Sequence, residues 1–491
     1  MRTTFSGIYI ALRALQAQQV SLDITGHNVA NANNPNYSRQ TALHSATRPF
    51  PTPMMGYTPS NGQVGTGVEV SQIVRMRDSF VDLRLRQQLQ NRNYWATLEE
   101  GLRQVELFFN EPSENSIHYA LDQLWDSLQD LSRDPELLAV REVVVQRAQV
   151  LVEAIKTTRG HLQRLSENIN ENVPIKVEEV NTLAQRLADL NEEIGRVSAT
   201  GAMPNDLLDA RDALLEELSQ LVDIEVVQDY GHMVTVTIGG ATLVHRSTVH
   251  KLASKPVADP AAGYNKHEVI WQTTGDRVDI RTGELGGMLK LRDEVLQEIM
   301  DDLDQWTLDF VREFNAVHAA GYDLNDTQSD DTKDFFKIDD EGSAALNIRV
   351  AEYLIGVDGV PGDVRLIRAS SLEGVKGNGD NALKLAKLRT EKVVSPPTNS
   401  NGAAVSIGDA FNAIISQIGV RAQEAIRMTE NQVVLENHLI NLKESISGVS
   451  LDEEMANMIR FQHAYSAAAR MMTAVDEMLS IIINRLGIVG R

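Results

Sequence analysis

Hydrophobic side chains recur every seven residues at both ends of the chain. Near the N-terminus Ile8, Leu15, Leu22 and Val29 form such a series, with Ala11 or Leu12 in the intermediate position. Near the C-terminus Leu451, Met458, Tyr465, Met472, Leu479 and Leu486 repeat at the same interval, and Phe461, Ala468, Val475 and Ile482 form a companion series. This spacing predicts helices that each bury a narrow stripe against a partner helix, as in a coiled coil. A large side chain in such a stripe contributes about 1.5–3 kcal/mol, but only once it is covered. Isolated helices of this kind are marginal in water. Each end therefore needs a partner, and the nearest is the other end.

The N-terminal helix has a clear stop where Asn28, Asn31, Asn33, Asn34 and Asn36 crowd around Pro35. The residue before a proline is pushed out of the α region, and these amides suit caps and turns. A sharper reading makes some of them hydrogen-bond partners of a neighbouring subunit. Pro49, Pro51, Pro53 and Pro59 then mark an extended connector with Gly56, Gly62, Gly65 and Gly67, closing in an alternating strand over Val68–Ile73. From Arg77 to Thr200 the pattern is helical, with breaks at Pro112 and Pro135 and a kink at Pro174. A further helix is predicted over 205–222. The period then changes to that of strands at 223–227, 233–238, 241–244 and 268–271. An amphipathic helix follows over 285–320, then the polar run Asp323–Asp334, a mixed region with a helix near 381–391, a linker over 395–402, and helix again over 408–447.

These elements predict a mainly α fold with a β-rich insertion: a long helical rod built from N- and C-terminal segments, terminal coiled-coil-like arms, and one or two smaller strand-containing outer domains. The expected boundaries are terminal arms at 1–45 and 450–491, a rod domain at 46–222, 285–322 and 406–449, a β-rich insertion at 223–284 and a mixed outer region at 323–405. At 491 residues the chain suggests about three domains.

Charge sharpens this division. Residues 1–45 carry a net +2 and 450–491 a net −1, which leaves −23 for the middle. Nearly neutral ends suit burial, and an acidic middle suits solvent. The total of −22 disfavours phosphate backbones and anionic lipid, so no nucleic-acid or membrane partner is expected. Aromatic residues make up 5%, which favours long aliphatic seams over one dense core. Cysteine is absent, excluding disulfides, thiolate metal sites and cysteine nucleophiles. No stretch approaches the roughly 18 apolar residues of a membrane span. Arg13 cuts short the first apolar run, so export, if it occurs, is expected to need no cleaved leader.

No catalytic, cofactor-binding or metal-binding residue is expected from the sequence. Gly62, Gly65 and Gly67 have the wrong spacing for a dinucleotide loop, and there is no Walker-type or HExxH sequence. His27, His44 and His463 read as structural or exposed. The run from Asp323 to Asp334 offers oxygen ligands, but Gln328 stands where a calcium loop needs glycine, and a solvated acidic loop is the competing reading. Met455, Met458, Met471, Met472 and Met478 suit either an adaptable binding face or simple core.

Two motifs carry a resemblance. The stretch from Ser6-Gly7-Ile8 to Asp23-Ile24-Thr25-Gly26-His27-Asn28-Val29-Ala30-Asn31 and on to Tyr37-Ser38-Arg39-Gln40 resembles the start of bacterial flagellar axial proteins, as does Met458–Arg470 near the other end. The Asn-Tyr-Ser-Arg-Gln ending is most similar to the hook-associated protein 1 (FlgK) family. Further matches are Phe109–Ser113, Asn205–Asp212, Gly283–Leu289 and Glu313–His318, with 323–405 the least distinctive region. Asn34-Pro35-Asn36 departs from the family's more usual Thr-Pro-Gly.

The resemblance implies a structural junction subunit between hook and filament, without catalysis or cofactor, exported by the flagellar type III system. Its implied partners are other copies of itself in a ring, the hook subunit, the next hook-associated protein and the export chaperone FlgN at the C-terminal region. Its implied assembly residues are the two seams and the turn Asn33, Asn34, Pro35, Tyr37, Ser38 and Arg39. The arms are expected to be disordered in the monomer and helical after assembly. Competing readings are a rod, hook or other hook-associated subunit, a secreted adhesin, and an axial protein bearing an enzyme.

Overall fold

The computed structural model describes residues 5–49, 65–110, 113–114, 116–259, 263–325, 334–357, 360–394 and 404–485. Most of the proline- and glycine-rich connector, the break at Pro112, the acidic run from 326 to 333, the linker over 395–402 and Leu486 lie outside the described residues.

In chain order, helix α1 (Ser6–Ala30) is followed by strands β1 (Gln40–Ala46) and β2 (Val68–Arg75), then helices α2 (Ser79–Phe109), α3 (Ile117–Arg133), α4 (Leu138–Ala199) and α5 (Asn205–Leu221). Strands β3 (Ile224–Gln228), β4 (Val234–Ile238), β5 (Ala241–His245), β6 (Thr248–Val249), β7 (Leu252–Asp259) and β8 (Tyr264–Trp271) come next. Helix α6 (Gly283–Lys290) continues through a π-helical turn, Leu291–Val295, into α7 (Leu296–Ala319). A region of short elements follows: β9 (Phe336–Ile338), α8 (Ala344–Asn347), β10 (Ile348–Val350), α9 (Glu352–Ile355), β11 (Gly356–Val357), β12 (Val360–Pro361) and α10 (Asp380–Lys387). Two long helices, α11 (Ile407–Ser447) and α12 (Leu451–Arg485), close the chain. The fold is mainly α with small antiparallel sheets.

The residues form two units. The first comprises 1–89, 181–251 and 433–491, the second 90–180 and 252–432.

In the first unit α1 packs against α12 and against the β1–β2 hairpin. The helices run antiparallel: Asn28 meets Glu454, while a Cβ on Gly7 would lie 3.2 Å from Val475 Cγ2. Glycine at position 7 thus permits the close approach. The hairpin pairs Gln40 with Arg75 through to Ala46 with Val68, with a bulge between Leu43 and His44. His44 follows that bulge, and its Nε2 hydrogen-bonds Ser21 Oγ of α1 at 3.0 Å. The β3-β4-β5-β6 sheet is antiparallel throughout. Asn191 of α4, fully buried, pins it by donating from Nδ2 to Val234 O at 2.9 Å and accepting from Val234 N at 3.2 Å.

In the second unit β7 and β8 form a long hairpin from Leu252↔Trp271 to Asp259↔Tyr264. Asn170 of α4 holds it much as Asn191 holds the other sheet, accepting from His267 N at 2.7 Å and donating to Asn265 O at 3.0 Å. The low aromatic content favours long aliphatic seams over one dense core. Several of the few rings nevertheless gather around Phe310 in this unit. Phe310 lies within 6.3 Å of Trp125, Trp306, Phe314 and Phe336, centroid to centroid. Rings at these separations and in mostly tilted or edge-on attitudes attract beyond their burial. Arg141, 1% exposed, donates from its guanidinium to the carbonyl oxygens of Pro135 and Ile367, both at 2.7 Å. Burial lowers its pKa to about 10.

Candidate assembly site

Asn28 is 1% exposed near the end of α1 and uses both ends of its amide. Its Oδ1 accepts from Tyr37 Oη at 2.7 Å and from Gln40 N at 3.0 Å. Its Nδ2 donates to Gln40 O at 2.9 Å and to Glu454 Oε2 at 3.0 Å. One buried amide therefore fixes the end of α1, the start of β1 and the start of α12. Loss of the Glu454 carboxylate would leave one buried amide N–H of Asn28 unsatisfied, at about 1–3 kcal/mol.

Around it the Tyr37-Ser38-Arg39-Gln40 run places successive residues on different neighbours. Ser38 donates its N–H and its hydroxyl to the two oxygens of Asp209, at 2.9 and 2.7 Å. Arg39 donates from Nε to Glu454 Oε1 at 2.9 Å, lies 2.9 Å from Glu453, and donates its N–H to Ser447 O at 2.9 Å. Gln40 donates to Asp206 Oδ1 at 2.8 Å and accepts from Asn205 Nδ2 at 3.1 Å. Extended backbone explains the alternation, because consecutive side chains point to opposite sides.

Helix α5 supplies the opposing acids on one face, at i, i+3 and i+7. Arg75 contacts Asp209 at 2.6 Å and Asp212 at 3.1 Å. Arg77 contacts Asp82 at 2.6 Å and Glu216 at 3.3 Å. Lys443 of α11 reaches the same Glu216 oxygen at 2.6 Å. Burial pushes the Asp212 carboxyl upward, but Arg211, Arg77 and Arg75 more than offset it and hold it at about 2. Tyr37 is held above the ordinary phenol range, first by burial and then by Asp206, Asp209 and Glu454. Its hydroxyl thus stays protonated and available to Asn28.

Every carboxylate in this network faces a cation or a donor, so it fastens segments together. Buried ion pairs add little net stability and are costly to break from one side, which favours one arrangement over alternatives. Among the described residues no group of three or more His, Cys, Asp or Glu is placed to hold a metal ion.

The expected turn divides in two. Asn33, Asn34 and Pro35 lie exposed, with Asn34 Oδ1 accepting from Asn36 N at 3.1 Å, while Tyr37, Ser38 and Arg39 enter the network. In the N-terminal seam Ile8, Leu15, Leu22 and Val29 are only half-buried and Leu12 is exposed. The buried positions of α1 are instead Ala11, Ala17, Ser21, Ile24, Thr25 and Asn28. Small residues let α12 and the hairpin approach closely, which shifts the buried stripe off the leucines. In the C-terminal seam Ala468 and Leu479 are buried, Met458, Phe461, Met472 and Val475 half-buried, and Leu451, Tyr465 and Ile482 exposed.

Asn28, Gln40, Asp209, Asp212 and Glu454 were not among the expected assembly residues. Glu454 did leave a signal. It sits seven residues before Phe461, so the companion series extends back onto a carboxylate. An acid at an apolar position of a heptad calls for a buried cation or donor.

Comparison with known proteins bears on the whole chain. Residues 102–336 match the profile of the flagellar hook-associated protein FlgK helical domain. Residues 8–37 match that of flagella basal body rod proteins, and 444–486 that of the flagellar basal body rod FlgEFG protein C-terminal region. The chain is similar to flagellar hook-associated protein 1 of Escherichia coli K12, at 27% identity over 96% of this chain and 98% of that protein. In fold it is similar to a Burkholderia pseudomallei chain described as the flagellar hook junction protein FlgK, with a TM-score of 0.59 and 15% identity over 74% of this chain and all of that one. Similarity to flagellar hook-associated protein 1 of Bacillus subtilis strain 168 reaches 34% identity and spans 100% of both proteins. With its matched ends joined by the Asn28–Glu454 network and its middle matched to the helical domain, the chain belongs to the flagellar hook-associated protein 1 (FlgK) family of structural flagellar proteins.

Proposed function

We propose that the chain is the subunit joining hook to filament, exported by the flagellar type III system and assembled through its terminal helices. The observation that carries this reading is the network that ties Asn28, Ser38 and Arg39 of one end to Glu454 of the other, within a chain of this family. Its partners are further copies in a ring, the hook subunit on one side, the next hook-associated protein on the other, and FlgN at the C-terminal region before export.

The seams supply the assembly surfaces. Leu12, Leu451, Tyr465 and Ile482 are exposed in the single chain, and Ile8, Leu15, Leu22 and Val29 are half-covered. Each gains its full burial energy only when neighbouring copies cover it. The arms, 1–45 and 450–491, are disordered in the free monomer and order on assembly, when that burial offsets the entropy of ordering. The acidic middle faces outward.

Electron microscopy of cells lacking the gene, with an immunoblot of the medium for flagellin, tests the assignment. Hooks without filaments and flagellin shed into the medium are expected. Missing hooks would place the chain in the rod or hook, and normal filaments would make it an accessory or a secreted binder.

A further inference from the structure

Arg86 lies on α2, one turn beyond Asp82, and makes no hydrogen bond or ion pair among the described residues. The neighbouring guanidiniums are engaged: Arg75 by Asp209, Arg77 by Asp82, and Arg211 by both nitrogens of its fork on Asp212 Oδ1 at 3.1 and 2.8 Å. All four arginines line one cavity of about 560 Å³ in the first unit. Its other walls are mixed: Asp82, Asn205, Asp212 and Gln228 are polar, while Leu83, Met203, Leu208 and Leu215 supply an aliphatic part, with Leu83 41% exposed at the rim. Burial holds the Arg86 pKa below the ordinary arginine value, although Asp212 and Asp82 act to raise it. Arg86 is thus a partly desolvated cation that no carboxylate among the described residues engages in an ion pair.

We propose that this cavity receives a carboxylate carried on a short aliphatic body, and that its bearer is an acidic side chain of a second copy of this chain. A guanidinium fork matches a carboxylate in two parallel hydrogen bonds. One unpaired cation suits one negative charge. Asp82 and Asp212 line the same cavity and would repel the second charge of a phosphate. The aliphatic part of the wall suits the methylenes of a glutamate or aspartate side chain, which phosphate lacks. The second copy follows from charge. With 68 acidic residues against 46 basic ones, two copies repel over most of their surfaces. A cation left without an ion pair in this cleft turns one such encounter into an attraction and fixes its register. The identity of the bearer rests on the assembly reading above; the chemistry of the cavity does not.

Isothermal titration of the purified full chain with 4-methylpentanoate, its methyl ester and inorganic phosphate tests the cavity. Saturable heat is expected for the acid, none for the ester, and at least tenfold weaker binding for phosphate. Arg86→Ala should weaken binding of the acid at least tenfold, and Arg86→Gln serves if the alanine variant does not fold. No saturable signal in the unsubstituted chain, or equal signals for acid and ester, would overturn the proposal without any variant. Cells whose only copy carries Arg86→Glu test the bearer. Several-fold fewer hooks bearing filaments, at unchanged cellular protein level, are expected. Normal filaments in those cells would overturn the second-copy occupant even if the acid binds. Failure of the assembly reading is distinguishable, because it appears as normal filaments in cells lacking the gene altogether.

Discussion

Asn28 and Glu454 are 426 positions apart in the sequence and joined by a hydrogen bond of 3.0 Å. The contact closes the chain's two ends on one another, and Arg39 locks it by holding the second oxygen of the same carboxylate at 2.9 Å. Everything else in the network leads back to this pair: Ser38 and Gln40 attach β1 to α5, and Arg39 attaches it to the α11–α12 joint.

Replacing Glu454 by alanine leaves Arg39 and Asn28 facing a gap. The carboxylate is 2% exposed, so its removal should cost about 2–4 kcal/mol of local stability. In assembled subunits, where the arms are ordered, amide hydrogen exchange should show α1 and α12 opening at least tenfold more often in Glu454→Ala than in the unsubstituted chain. Unchanged protection would mean that the pair does not hold the helices together.

Acid should loosen the same region. Asp212 has a pKa of about 2 when folded, below its ordinary 3.8, so the unfolded state takes up the proton first. Its contribution, about 2 kcal/mol, is complete above about pH 4 and is lost as the pH falls to about 2. Denaturant titrations across that window should show the loss in the unsubstituted chain and a shallower slope in Asp212→Asn. Equal slopes would contradict the role given to Arg211, Arg77 and Arg75.

The helices were legible because their signals are local. Proline and asparagine mark the end of α1, and Pro174 leaves α4 continuous from Leu138 to Ala199. The strand period at 233–238 and 241–244 marked β4 and β5. What periodicity could not show is which side of a stripe is covered. On α1 the seven-residue series pointed to leucines, whereas Ala11, Ala17 and Ser21 sit inside because small side chains permit the closest approach. Strand β7 was missed because Lys255 and Pro256 interrupt its apolar pattern; pairing with β8 from Leu252 to Asp259 compensates. The network was invisible for another reason. Asn28, Asp209 and Glu454 are ordinary polar residues until the fold brings them together.

Helix α6 offers a test of packing against propensity. A methyl group on Gly287 would meet Tyr94 O and Thr97 Cβ, each at 2.9 Å. Alanine is the better helix former by about 1 kcal/mol, but overpacking of this kind costs about 1–3 kcal/mol. Gly287→Ala should therefore lower the thermal midpoint of the second unit. A higher midpoint would show that α2 yields easily at this point.

Asn191 offers a test of the sheet in the first unit. Asn191→Ala removes the bonds to Val234 O, Val234 N and Arg246 O. A loss of about 2–3 kcal/mol is expected, read in assembled subunits as faster amide exchange in β4 and β5 with α1 and α12 unaffected. Exchange rising across both helices instead would show that the sheet and the terminal pair open as one.

The most direct test of the central claim, that the fastening of the two ends is what lets the subunit join hook to filament, is electron microscopy of cells whose only copy carries Glu454→Ala. Hooks without filaments, with flagellin in the medium, are the predicted result. Filaments as numerous as with the unsubstituted chain would contradict it.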